Sequence, residues 1–297
     1  MLKAYSWLTF CIVMWGSNFI FGKILVQDFS PNMLTMLRLV VVVLLLVGIS
    51  FYRKGFKRVD RDSWFPLLCL GVVGVFINQW SFFYGLQTAD TTISALILAI
   101  APILTGFLAG VFLKESITLR MIMGSIVAII GIYIVVTKGR FTSIYVNEGL
   151  LWIVLTMISF AVMIIITRVL SRRIDPLTMA LYSYIIGLAV SIPFAFTLDN
   201  PIRISADSGD WVFLIGTTIA VHGIATLIWN ENIRYVDASK ASMLSNLEPF
   251  VAMIVGVVLL FKPITFVEII GSLVIVSGVI LSTYQRRKYY IGTVSNK

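Results

Sequence analysis

The chain has 297 residues, of which 59% are hydrophobic and 12% are charged. About a quarter of the residues of an ordinary soluble protein are charged, so this composition excludes a typical water-soluble domain. A net charge of +9 is also found in nucleic-acid-binding proteins, but here the basic residues cluster between apolar runs. That distribution favours a membrane protein and argues against a nucleic-acid partner.

Ten apolar runs follow one another along the chain, each near the length of about 20 residues that crosses a bilayer core. The first run is too long for a signal-peptide core and lacks a small-residue cleavage site, so we interpret it as a retained helix. The runs predict transmembrane helices near residues 5–25, 31–51, 64–86, 91–113, 118–137, 147–169, 176–197, 211–233, 238–261 and 264–284.

Basic residues are concentrated on one side of these ten predicted spans. With a cytoplasmic N-terminus, few basic residues fall outside, and the positive-inside rule therefore predicts that both termini are cytoplasmic. We expect a multi-pass protein of the plasma membrane. The largest inner clusters are Arg53, Lys54, Lys57, Arg58 and Arg61, then Arg168, Arg172 and Arg173, then Arg286, Arg287 and Lys288; the outer residues are Lys23, Lys138, Arg140, Arg203 and Lys262.

The two halves of the chain are copies of one another. Residues 64–131 align without a gap with residues 211–278, pairing Trp64 with Trp211 and Pro102 with Pro249. Each half has five spans, and an odd number forces the second half to enter the membrane from the opposite side. We therefore predict an all-α integral membrane protein of ten transmembrane helices, arranged as two inverted five-helix repeats.

Besides the duplication, the chain carries the motifs Trp15-Gly16-Ser17-Asn18 in span one and Leu247-Glu248-Pro249 in span nine. In these features it resembles the drug/metabolite transporter superfamily, specifically its EamA-type ten-helix branch. The resemblance implies EamA-like repeats at residues 1–140 and 147–290, and a plasma-membrane carrier of small metabolites, often an exporter of amino acids or related compounds. Family members commonly end span nine with an acidic residue, whereas this chain has Lys262-Pro263. The matching residues are Trp15-Gly16-Ser17-Asn18, Lys23, Pro31, Arg38, Pro102, Glu115 and Leu247-Glu248-Pro249.

Glu248 is the one carboxylate that the predicted spans place deep in the membrane. Its position, about ten residues into span nine at a rise of roughly 1.5 Å per residue, is near the midplane. Pro249 removes a backbone donor and frees a carbonyl near Ser245. A broken helix beside a buried carboxylate is typical of transporter sites. We expect Glu248 to handle substrate or protons; the alternative is a structural partner for a buried cation.

Two further ionisable residues lie within the predicted spans. His222, the only histidine, falls near the depth of Glu248 on the antiparallel span eight. If the two side chains touch, they titrate as a unit and His222 modulates proton coupling, whereas the alternative is a satisfied core histidine. Arg38 either snorkels to the outer interface or clamps a substrate carboxylate with its planar fork.

Aromatic and amide side chains within the spans are candidates for the wall of a substrate cavity. Tryptophan and tyrosine near span ends normally form interface belts, so the deeper positions carry most of the argument. Together with Glu248, His222 and Arg38, the substrate-binding candidates are Trp15, Asn18, Asn78, Trp80, Tyr84, Tyr182, Trp229 and Asn246.

The leading functional hypothesis is a secondary transporter working by alternating access, coupled to protons through Glu248 and His222. An uncoupled facilitator or channel is the alternative. An intramembrane enzyme is a remote one, since the nucleophile-base pairs or metal ligands that it needs are nearly absent. We expect no cofactor, metal or ATP, and either a monomer or a homodimer in the bilayer. Cys11 and Cys69 both fall within spans, which makes a disulfide implausible.

Overall fold

The computed structural model describes residues 2–53, 57–89, 94, 97–98, 100–137, 148–197, 201–260 and 265–283. Several residues used in the sequence argument lie outside these ranges. They are Lys54, residues 91–93 at the predicted start of span four, Lys138, Arg140, Lys262-Pro263 and the terminal cluster Arg286, Arg287 and Lys288.

Within the described ranges the chain forms ten helices, which confirms the predicted all-α fold class. Seven of them are long and apolar enough to cross a membrane, and three are shorter apolar helices. The helices are α1 (Leu2–Asp28), α2 (Pro31–Tyr52), α3 (Arg61–Thr88), α4 (Ala101–Leu113), α5 (Leu119–Thr137), α6 (Glu148–Leu170), α7 (Pro176–Thr197), α8 (Ser208–Tyr235), α9 (Ala238–Met243, the 3-10 turn Leu244–Leu247 and Glu248–Leu260) and α10 (Phe266–Thr283).

Helix α4 is preceded by a turn at Ile100, and residues 94, 97 and 98 ahead of that turn are helical. Its regular helix starts at Ala101, with Pro102 in the first turn. Proline is favoured there because its missing N–H would have no helical partner. The equivalent proline, Pro249, stands in the same place in α9, where the helix restarts at Glu248 after a 3-10 turn. The proline in each repeat thus marks a break that hydropathy does not reveal.

Helix packing follows an approximate two-fold relation between the halves. Helix α1 packs on α8 and α9, and its counterpart α6 packs on α3 and α4. Helices α2 and α7, which are counterparts, pack on each other, as do α5 and α10. The first helix of each half therefore packs against two helices of the other half, and the space enclosed lies between the repeats.

The seam between α5 and α10 shows directly that the repeats are inverted. A Cβ added at Gly124 would lie 2.6 Å from the carbonyl oxygen of Gly278, and one at Gly131 would lie 2.7 Å from that of Gly271. As residue numbers rise along α5, the facing numbers fall along α10, so the two helices are antiparallel. Glycines at heptad spacing allow this close approach.

A second pair of contacts extends the symmetry to α1 and α6. The ammonium of Lys23 donates to the carbonyl oxygen of Leu86 at the end of α3, at 2.7 Å. The guanidinium of Arg168 donates to that of Ile233 at the end of α8, at 2.9 Å. Because helix C-termini carry unpaired carbonyls and partial negative charge, a cation stabilises each end. The four residues occupy equivalent positions in the two halves.

Candidate functional site

A central cavity lies between the two repeats, lined by six helices (α1, α3, α6, α7, α8 and α9) and by Leu98 ahead of α4. Its volume is about 100 Å³, measured as the space open to the centres of water molecules. One water needs about 10–15 Å³ on this measure, so the cavity holds roughly seven to ten water-sized groups. Its polar and aromatic lining includes Trp15, Asn18, Asn78, Gln79, Thr156, Phe160, Thr167, Ser183, Tyr184, His222, Thr226, Trp229, Asn230, Ser245 and Glu248.

Helices α3 and α8 both widen into π-helical turns where they border the cavity. The turns are Leu70–Ile77 and Ile219–Ile224, and the repeat alignment superposes them. Such turns are rare and occur frequently at functional sites. The turn in α8 carries His222, and its neighbour Val221 accepts a 3.2 Å hydrogen bond from the indole of Trp15. Helix α1 thereby fixes the position of the turn that presents the histidine.

The break in α9 places Glu248 at the first turn of its second segment. Side chains of the 3-10 turn Leu244–Leu247 are mostly buried, and Ser245 faces the cavity beside Glu248. Helix α1 comes very close here: a Cβ added at Gly16 would lie 2.9 Å from the carbonyl oxygen of Glu248. The missing side chain of Gly16 is what allows this approach, so the backbone of Glu248 is held against α1.

Five cavity-lining polar atoms are buried without a hydrogen-bond partner among the described residues. They belong to Asn18 (Oδ1), Gln79 (Oε1), His222 (Nε2), Trp229 (Nε1) and Glu248 (Oε1). An unpaired polar group costs about 1–3 kcal/mol when it is buried. A bound solute would supply the missing hydrogen bonds, so several unpartnered polar atoms in one cavity indicate a binding site.

The cavity brings together six of the residues that the sequence nominates: Trp15, Asn18, Asn78, His222, Trp229 and Glu248. Asn78 is anchored through its amide nitrogen to the carbonyl oxygen of Thr156 and the hydroxyl of Ser159, at 3.2 and 3.1 Å. The Trp15 ring packs against that of Trp229, with centroids 4.7 Å apart. The first and second repeats both contribute to this wall.

Four nominated residues lie away from the cavity lining. Trp80 and Tyr84 pack with Trp152 in an aromatic cluster, with ring centroids 5.0–5.6 Å apart. Tyr182 packs on Trp64, with centroids 5.5 Å apart. Asn246 is fully buried next to Ser245 but is not part of the lining. These residues were chosen by their position along a span, whereas lining the cavity also depends on the rotation of each helix.

Arg38 is also outside the lining but adjoins it. Its side chain is 0% exposed, its guanidinium carbon lies 5.3 Å from the centroid of the Phe83 ring, and none of its three nitrogens has a hydrogen-bond partner in the described part of the chain. It therefore does not snorkel. The guanidinium interacts electrostatically with Tyr184 and His222, which both border the cavity.

Sequence reasoning did not select several residues of the wall. The face of α6 that lines the cavity consists of Thr156, Phe160, Met163 and Thr167, which recur at helical spacing. This periodicity was the available signal, together with hydroxyls in an otherwise apolar run. Thr226 was not selected either, and its hydroxyl lies 3.2 Å from that of Tyr184. Among the described residues no group of His, Cys, Asp and Glu could hold a metal ion.

Two stretches of the chain, residues 2–137 and 147–284, match the EamA-like transporter family. The uncharacterized transporter YyaM of Bacillus subtilis is 27% identical over 95% of this chain and 94% of its own length. YetK, an uncharacterized transporter from the same organism, is 24% identical over 97% and 88%. An uncharacterized transporter of Archaeoglobus fulgidus is 25% identical over 96% and 100%.

A solved crystal structure has the same fold. It superposes with a TM-score of 0.80 and covers 95% of this chain and 98% of its own, at 18% sequence identity. At that identity the likeness concerns the fold alone.

Proposed function

This chain belongs to the EamA-like transporter family, and from that membership we propose that it is a secondary transporter of small polar metabolites working by alternating access. It is a multi-pass membrane protein, as its spans and its transporter relatives indicate. We place it in the plasma membrane with both termini in the cytoplasm, because the positive-inside rule favours that orientation. The single observation that carries the proposal is the cavity between inverted repeats with five unpartnered polar atoms.

The proposed cargo is an amino acid or a related compound, moved outward. Glu248 and Arg38 are both buried, and neither forms an ion pair with the other. A buried charge without a partner is costly, so each favours an opposite charge supplied by the substrate. A molecule with an ammonium and a carboxylate satisfies both at once. The volume of about 100 Å³ favours a compact molecule.

The two ends of such a molecule have distinct partners in this arrangement. The ammonium would bind Glu248, with the carbonyl oxygens of Asn18 and Gln79 as further acceptors. The carboxylate would bind to another part of the lining, where Trp229 offers an indole N–H and Arg38 contributes its positive charge near Tyr184.

We propose further that transport is coupled to protons through Glu248, with His222 adjusting the exchange. Glu248 is the carboxylate of the cavity lining. One carboxylate that binds either a proton or the substrate ammonium, but not both, exchanges one for the other across the membrane. Under an inward proton gradient this exchange drives the metabolite outward, which agrees with export.

The first test is a thermal-stability screen of purified protein against amino acids, polyamines, quaternary amines and nucleosides. We expect amino acids to raise the melting temperature of the wild-type protein but not of Glu248→Gln. The stabilising compound is then assayed in proteoliposomes under an imposed pH gradient. Glu231→Gln is the matched control, because Glu231 is exposed at the end of α8.

Three results separate the alternatives. Loss of gradient-driven transport in Glu248→Gln alone supports coupling through this carboxylate. Concentrative, pH-driven transport by Glu248→Gln contradicts it. Wild-type flux that only equilibrates the substrate, whatever the gradient, indicates the uncoupled facilitator.

A further inference from the structure

Two polar contacts between the repeats sit beyond the cavity, one at each end of the protein. We define the inner clasp as Glu115 with Ala238 and Ser239, at the end that the charge distribution places in the cytoplasm. We define the outer clasp as Arg203 with residues 26, 27 and 30, at the opposite end. Each clasp joins one half of the chain to the other.

The inner clasp is a carboxylate bound to the start of a helix. Glu115 accepts hydrogen bonds from the backbone amides of Ala238 and Ser239, at 3.0 and 3.1 Å, and from the Ser239 hydroxyl at 2.7 Å. The first amides of a helix have no internal partner and carry partial positive charge, so a carboxylate is well suited to bind them. Glu115 comes from the first repeat and α9 from the second.

The backbone ahead of Glu115 is shaped for this contact. Lys114 ends α4 in the left-handed conformation, with φ of 55°, and no other non-glycine residue of the described chain has a positive φ. A left-handed residue commonly ends a helix, but there it is usually glycine. The turn sends the chain away from α4, where Glu115 reaches α9. A local strain that persists at one position is characteristic of functional contacts.

The outer clasp is a cation bound to the end of a helix. The guanidinium of Arg203 donates to the carbonyl oxygens of Gln27 and Val26 in the last turn of α1, at 3.1 and 3.4 Å. The backbone amide of Ser30 donates to the carbonyl oxygen of Arg203 at 3.0 Å. This loop precedes α8, so the outer clasp also joins the second repeat to the first, with the opposite charge at the opposite helix end.

An apolar cluster of buried side chains reaches from the cavity wall to each clasp. On the inner side, Leu8, Ile233, Ala238 and Ala241 are 0% exposed and belong to one cluster. On the outer side, Phe29, Phe83 and Leu86 are 0% exposed, and Phe29 packs on Trp211 with centroids 5.4 Å apart. Opening either end must part helices of different repeats, and each clasp spans such a boundary. Both clasps are formed in this structure.

We propose that the inner and outer clasps are opposing locks: the cavity opens to the cytoplasm when Glu115 releases α9, and to the outside when Arg203 releases α1. Glu115 and Arg203 are positioning residues, since neither lines the cavity. Their relative strength sets which way the cavity faces at rest. This inference rests on the proposed alternating access and adds the residues that govern it.

The test uses a reporter cysteine in the full-length protein. Cys11→Ser and Cys69→Ser remove the native thiols, and Ser183→Cys introduces a nearly isosteric thiol into the cavity wall on α7, which takes no part in either clasp. A membrane-impermeant maleimide is applied to right-side-out and to inside-out vesicles. The labelling rate from each side reports how often the cavity opens to that side.

The two clasp variants should shift labelling in opposite directions. We expect Glu115→Ala to raise the rate from the cytoplasmic side about fivefold, the change that loss of a helix cap of ordinary strength produces. Arg203→Ala should raise the rate from the outer side by a similar factor. Glu231→Ala, at the same end as Glu115, should change neither rate. Ser239→Ala removes one bond of the inner clasp and should give a smaller shift of the same sign, even if Glu115→Ala folds poorly.

A general loosening of the protein would give a different pattern. Equal increases on both sides, or rates indistinguishable from those of Glu231→Ala, overturn the locks. The labelling requires no substrate, so it stands apart from the transport assay. Opposite shifts in labelling rate, in a protein that transports none of the compounds, would support the locks and contradict the proposed function. Transport without these shifts would support the proposed function and contradict the locks.

Discussion

The seam between α5 and α10 and the central cavity are both built from duplicated segments, but the two copies are alike at the seam and different in the cavity. Gly124 and Gly131 align with Gly271 and Gly278, and each faces the counterpart of the other across the seam. In the cavity, Glu248 aligns with Ala101 and His222 with Val75. The two copies therefore keep the same residues at the seam and have different residues in the cavity.

The difference follows from what each region requires. Two helices that cross at a symmetric contact need small residues on both sides, because a side chain on either one separates the backbones. A cavity that binds one solute does not need two copies of the same charge. Two carboxylates in a water-poor space would repel each other, and one is enough for exchange. The repeat therefore supplies the architecture, and single substitutions in one half supply the chemistry.

The largest effect should come from breaking the symmetric seam. Gly124→Ala places a Cβ 2.6 Å from the carbonyl oxygen of Gly278, and backbone cannot move aside as a side chain can. Overpacking of a well-packed interior costs about 1–3 kcal/mol, and a clash with backbone belongs at the upper end or above. We expect a large drop in melting temperature in detergent, or failure to accumulate in the membrane.

The control for this variant is Gly48→Ala, because a Cβ at Gly48 meets nothing within 4 Å. Alanine is favoured over glycine inside a helix by roughly 1 kcal/mol, so this variant should be neutral or slightly more stable. Equal losses from Gly124→Ala and Gly48→Ala would show that the seam is no more demanding than an open helix face.

Much of this fold follows from the sequence, because bilayer length and duplication are strong constraints. Ten apolar runs and a repeat with an odd number of spans predict the helices and their inversion. The heptad spacing of Gly124 and Gly131 predicts close packing, although it does not name the partner helix. The turn at Ile100, just ahead of Pro102, escaped the sequence argument, since hydropathy does not distinguish a continuous helix from an interrupted one.

The site could be predicted only in part, for a different physical reason. Position along a span gives depth, and depth singled out Glu248 and His222, which both line the cavity. Which residues point into the cavity depends on the rotation of each helix about its axis. A membrane helix is apolar toward both lipid and protein, so the contrast between a polar and an apolar face, which reveals this rotation in soluble proteins, is missing. That is why Trp80 and Tyr84 were nominated, whereas Phe160 and Thr226 were not.

Arg38 offers a sharper test of the asymmetric region. Its charge is buried without a hydrogen-bond partner in the described chain, so Arg38→Met should leave the fold unchanged or stabilise it by about 1–4 kcal/mol. The same change should abolish stabilisation by amino acids while sparing amines that lack a carboxylate. Melting temperatures with and without each ligand measure both effects.

Two variants complete the test of Arg38. Arg173→Met removes a cation from the exposed turn after α6 and should alter neither stability nor ligand response. Arg38→Lys keeps the charge but loses the planar fork, so it should restore the response only weakly. If Arg38→Met lowers stability by more than about 2 kcal/mol, the guanidinium is a structural element and its proposed part in recognition fails.

The smallest expected effect tests whether equivalent contacts in the two repeats are equivalent in energy. Lys23→Met and Arg168→Met each remove a cation from a helix C-terminus, at Leu86 and Ile233. A cation in such a position contributes about 0.3–2 kcal/mol, so both variants should lower stability by similar, modest amounts. Chemical or thermal unfolding in detergent gives the comparison.

A difference between these two variants would also be informative, because their surroundings are not identical. Arg168 lies in the field of Glu115 and Asp237, both of which attract it. We therefore expect Arg168→Met to have the larger effect, and the excess to disappear when Glu115→Ala is already present, as a double-mutant cycle measures. If Arg168→Met still destabilises more than Lys23→Met after Glu115 is removed, the additional loss of stability comes from the helix end itself. The two cations would then differ in energy despite their equivalent positions. Equal effects in both backgrounds would mean that the inner clasp does not extend to Arg168.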